Sequence, residues 1–136
     1  MSDDVIKKYL RLVLGVDGAP TVGPSDLDVK TSILASLAAL SVALEKVLPD
    51  DAQREQISSL VAQIRETWVK SDALNPVLAE RIILTLQGQD GLIDDVPAAE
   101  LATAENLITY GILHETGTTG DSFEAFLDDV IQFLND

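Results

Sequence analysis

Cysteine is absent, which removes disulfide frameworks, thiolate zinc sites and cysteine nucleophiles together. One histidine, His114, leaves no two-histidine metal site and no HExxH arrangement within a single chain. Aromatic residues are only 4% of the chain, so its core must come from Leu, Ile, Val and Ala, a supply that suits packed helices better than sheets. The longest uncharged run, residues 31–44, is diluted by Ser and Thr and falls short of the roughly eighteen residues a bilayer span needs. It reads as a buried helix. The opening MSDD is acidic where a secretory signal would be basic, so a cytoplasmic location without membrane association is expected. Neither a GxGxxG or GxxxxGK[ST] phosphate loop nor a Gly-x-Ser-x-Gly elbow is present, and no cofactor is expected.

Positive charge is the most unevenly missing component. Residues 1–71 hold eight Lys or Arg against ten acids, whereas residues 72–136 hold only Arg81 against thirteen. The second half therefore carries about −12 of the net −14, a one-signed field that repels nucleic-acid phosphates.

What is present is ample apolar material. A chain of 136 residues with 46% apolar and 24% charged side chains can offset its ordering entropy with one core, so residues 1–136 are read as one all-α domain of about six helices. Segment one, residues 3–14, has an apolar stripe through Val5, Ile6, Tyr9, Leu10, Val13 and Leu14, with Asp3–Lys7 and Asp4–Lys8 as i,i+4 pairs and Gly15 as its stop. Segment two, residues 25–48, opens on a Ser25/Asp28 capping box and stops at Pro49. Its seam is Ile33, Leu37, Leu40, Leu44 and Val47, flanked by Ala35, Ala38, Ala39, Ser41 and Ala43, which suits a central helix.

Segment three starts at Asp50, with Gln53 in the reciprocal capping position. It lines up Ile57, Leu60, Val61, Ile64 and Trp68, with Glu66–Lys70 on its outer face. Segment four has Asn75 as N-cap, Pro76 first and Gly88 past its end. Segment five, from about Pro97 to His114 or Glu115, has Leu101, Leu107, Ile108 and Ile112 as its stripe, either continuous or broken near Thr103. Segment six begins at Asp121, with Glu124 in capping relation, and turns Phe123, Phe126, Leu127, Val130, Ile131 and Leu134 inward. The similar strings Gly15-Val-Asp-Gly18 and Gly88-Gln-Asp-Gly91 each follow a short helix, as two similar three-helix halves would require; Asp-Gly is also simply a favoured turn.

Paired acids at Asp3-Asp4, Asp50-Asp51, Asp94-Asp95 and Asp128-Asp129 raise the question of a divalent cation. Residues 89–100 end on Glu100 like a calcium loop, but Gly91 and Ile93 stand where oxygen ligands belong and Asp95 where the turn glycine belongs. No metal site is assigned. Three of the four pairs lie at or just before helix starts, where the dipole favours acids.

The charge asymmetry has three physical readings: steering toward a basic protein, imitation of nucleic acid by carboxylates, and solubility. The first is favoured and makes the protein a non-enzymatic interaction module, an assembly, adaptor or inhibitory subunit whose partner presents a basic surface. The candidate contact residues are Asp90, Asp94, Asp95, Glu100, Glu105, Asp128 and Asp129. The runner-up is a nucleic-acid mimic blocking a DNA- or RNA-binding protein. A third reading is a small enzyme with His114 and Glu115 as acid and base, against which stands the favourable placement of a histidine in the last turn of a helix.

Overall fold

A computed structural model describes residues 3–14, 28–49, 51–69 and 72–135. These residues form six helices and no strand: α1 (Asp3–Leu14), α2 (Val29–Leu44), α3 (Arg54–Thr67), α4 (Pro76–Leu86), α5 (Ala98–Glu115) and α6 (Asp121–Asn135). The all-α bundle matches the periodicity of the sequence. Gly15, the loop after it, Ser25, Asp50 and Lys70 lie outside the described residues, and so do the cap, turn and ion-pair expectations that involve them. Among the described residues no helix is long and apolar enough to cross a membrane.

Local chemistry explains where the helices begin and end. The Asp28 side chain accepts from the Thr31 backbone N–H and caps α2, and that bond holds its carboxyl below the usual carboxylate range. Gln53 and Gln56 exchange bonds in a capping box at the start of α3, and Asn75 accepts from Val77 and Leu78 ahead of Pro76 in α4. Helix α4 closes in a Schellman motif: Gln89 N–H reaches Leu84 O, Gly88 N–H reaches Thr85 O, and Gly88 takes the required left-handed φ of 103°.

Helix α5 is the most enclosed. It packs on α1, α2, α3 and α4, and residues 104–106 and 108–113 are all buried. It runs unbroken through Thr103, whose hydroxyl bonds the Ala99 carbonyl one turn back instead of interrupting the ladder. The other central element is α2, packed on α1, α5 and α6. Its buried residues are mostly small: Ala35, Ser36, Ala38, Ala39 and Ala43 join Leu40 and Leu44, whereas Ile33, Leu37 and Val47 of the expected seam are only half-buried. Small side chains on several faces let three neighbours approach, so depth of burial follows the alanines rather than the leucine spacing.

Exchanging α1 with α4, α2 with α5 and α3 with α6 maps the α2–α6 packing onto α5–α3, α1–α2 onto α4–α5, and α3–α4 onto α6–α1. The α2–α5 pair maps onto itself. Only the α1–α5 packing lacks a counterpart of like extent among the described residues. The bundle thus pairs helices as two interleaved three-helix units would.

Candidate functional site

The acidic residues singled out by charge density fall into three situations. Asp90, Asp94 and Asp95 are exposed in the connection between α4 and α5, and Glu100 is exposed in the first turn of α5. Leu92 and Ile93 of that connection pack against the core, which anchors the chain and leaves the neighbouring carboxylates outside. Asp95 and Glu100 border a shallow depression with Arg81, the sole Lys or Arg beyond residue 71. Among the described residues no three His, Asp or Glu side chains are grouped to hold a metal ion.

Asp128 and Asp129 occupy the outer face of α6, opposite the buried Phe126, Leu127, Val130 and Ile131. Asp128 receives a 2.5 Å bond from Lys7, so Lys7 reaches across to α6 instead of completing the expected pair with Asp3. Arg11 binds Glu124 through Nε at 3.2 Å and Nη2 at 2.5 Å. The hydrogen bond from Arg11 lowers the Glu124 carboxyl pKa, and that from Lys7 to Asp128 raises the lysine's. Cations of the first helix therefore neutralise part of α6, whereas Asp129 stays exposed.

Glu105 does not belong to the surface at all. It lies inside α5 with 0% exposure, and neither carboxyl oxygen has a hydrogen-bond partner. Desolvation pushes its pKa up to about 8, which keeps the group largely protonated at neutral pH. The expectation that it contacts a partner fails because α5 is enclosed by four helices, a fact of tertiary packing that residue type does not reveal.

The arrangement around His114 differs from an acid–base pair. His114 sits between the rings of Tyr110 (4.3 Å) and Trp68 (5.3 Å), and its Nε2 is buried without a partner. Glu115 instead accepts a 2.6 Å bond from the Trp68 indole. Adjacent residues project about 100° apart on a helix, so these two neighbours serve different surroundings.

One further surface feature is built from residues distant in sequence. Helices α2, α4 and α6 end around a groove of about 460 Å³ whose apolar wall includes Leu44, Leu48, Ile83, Leu86 and Phe133, with Glu45 on its rim. Gly88 lines it two residues before Asp90, and Phe133 lies one turn beyond Asp129, so the groove lies between the α4–α5 connection and the outer face of α6. Phe133 is 47% exposed, unlike Phe123 and Phe126, which belong to the core. Its position off the inward stripe of α6 was the one available signal. The pocket itself needs three helices distant in sequence. No known protein family, curated protein or solved structure matches the chain.

Proposed function

We propose that the protein is a non-enzymatic interaction module, an assembly, adaptor or inhibitory subunit, whose acidic second half receives a protein partner with a basic surface. The observation that carries this reading is the exposure of Asp90, Asp94, Asp95, Glu100 and Asp129 in a half whose only Lys or Arg is Arg81. A surface on which carboxylates far outnumber cations raises the local concentration of a positively charged partner and speeds encounter, an effect that fades as salt screens it over about 8–10 Å. The same field opposes direct contact with nucleic acid. A cytoplasmic setting is part of the proposal.

Tagged wild-type protein and a bait carrying Asp90→Asn, Asp94→Asn, Asp95→Asn, Glu100→Gln and Asp129→Asn are compared by capture from source lysate at low and high salt, with mass spectrometry of the eluates. A basic protein retained by wild type at low salt, and depleted on the neutral bait, is the expected result. Equal retention by both baits, or retention of nothing basic, overturns the reading.

A further inference from the structure

Three helices carry a basic residue in their last turn: Arg11 in α1, Arg65 in α3 and His114 in α5. The other three, α2, α4 and α6, carry none, and these are the helices that end at the Phe133 groove. A helix carboxyl end holds roughly half a negative charge, and a basic side chain in the last turn is the ordinary way to offset it. The last turns of α2, α4 and α6 thus border one apolar depression with no basic side chain among its lining residues, with Glu45 exposed at its rim and Asp90 and Asp129 close by in the chain. Lys46, the next residue after Glu45, does not line it.

We infer that this groove docks an amphipathic helical segment of the partner, which seats a large apolar side chain against Leu44, Leu86 and Phe133 and places Lys or Arg at the three helix ends. The inference rests on the reading of the protein as a binder of basic partners and adds the place and the pattern of recognition. The apolar floor selects a segment with a greasy stripe over a merely polycationic one, because a charge alone gains nothing from Phe133. The helix ends select cations over acids at the flanks of that stripe, since a carboxylate brought there meets three negative poles and Glu45. A groove of about 460 Å³ falls within the roughly 300–1,000 Å³ over which proteins bury compact ligand groups.

The test uses the whole ¹⁵N-labelled chain and four synthetic peptides of equal length: a helical Leu/Lys amphipath, its Leu/Gln and Leu/Glu counterparts, and a Lys/Gly peptide with the same charge and no apolar stripe. At low salt the Leu/Lys peptide is expected to shift amides of Leu44, Leu48, Leu86, Gly88 and Phe133, to bind at least fivefold more tightly than Leu/Gln, and to leave Leu/Glu unbound. Phe133→Ala, at a half-exposed position whose effect on melting is checked alongside, should weaken it at least tenfold, and Glu45→Lys should weaken it at least threefold. Equal binding of the Lys/Gly peptide, equal binding of the Leu/Gln peptide, or shifts confined to Asp90, Asp94, Asp95 and Glu100 with no effect of Phe133→Ala, overturns the groove and leaves the acidic-surface reading standing. Failure of both lysine peptides to bind at low salt overturns the two together.

Discussion

At the scale of single residues, the least economical group in the molecule is Glu105. A buried carboxyl without a hydrogen bond folds most readily when protonated, so the folded state holds this proton more tightly than the unfolded chain does. Its contribution runs opposite to that of a salt-bridged acid: no penalty below the ordinary 4.5, and a growing one as pH rises toward about 8. At 1.36 kcal/mol per pH unit the span corresponds to roughly 4–5 kcal/mol. Glu105→Gln should therefore be more stable than wild type by a few kcal/mol at pH 8 and about equal to it at pH 4.5, measured by denaturant unfolding. A stability difference that does not change with pH contradicts the placement of this side chain. A second buried polar set is better satisfied: the Tyr9 hydroxyl meets Ser36 Oγ at 2.8 Å and accepts from Asn106 Nδ2 at 3.4 Å, which ties α1 to α2 and α5. Tyr9→Phe leaves both partners short and should cost about 1–2 kcal/mol in the same assay, whereas an unchanged unfolding midpoint would mean that neither bond matters.

At the scale of elements, α3 and α5 approach closely at Gly111. A methyl group there would stand 2.5 Å from Ile64 Cγ2 and 2.8 Å from Cγ1, inside contact distance of a β-branched side chain that is itself fully buried. Alanine normally improves a helix interior by up to about 1 kcal/mol, but overpacking of this kind costs about 1–3 kcal/mol. Gly111→Ala should lower the melting temperature by several degrees, and a rise would show that α3 and α5 are not in contact there. The same packing decides what the sequence made legible. Helices α1, α4 and α6 each bury one face, and those one-sided stripes, with Pro76 and the acids at Asp121 and Glu124, mark them clearly in the sequence. Helices α2 and α5 are covered on several sides, so their apolar residues do not form one stripe; only Leu40 and Leu44 of the expected α2 seam are buried, and α5 has no break near Thr103.

At the scale of the whole molecule, charge is divided as the sequence indicated, and the fold then redistributes it. Lys7 and Arg11 of α1 pair with Asp128 and Glu124, α5 withdraws Glu105, and of the remaining exposed acids Glu45 borders the groove where three helices end, while Asp95 and Glu100 border a separate depression with Arg81. Only the first part of that outcome could be read from residue order. Lys7 and Asp128 stand 121 positions apart, so residue order gives no sign of their pairing, and a charged residue such as Glu105 is taken as exposed unless packing says otherwise. The dependence on salt follows from exposure: a partner held at these acids should lose affinity as ionic strength rises, whereas the apolar contact at Phe133 should persist.

The most direct test of the acidic surface as the working part is the association rate of the captured partner, measured by stopped flow with wild type and the five-fold neutral variant across ionic strengths from about 20 to 500 mM. The account predicts a rate for wild type at least tenfold above the variant at the low end, converging with it at the high end. Rates that coincide at every ionic strength would contradict it.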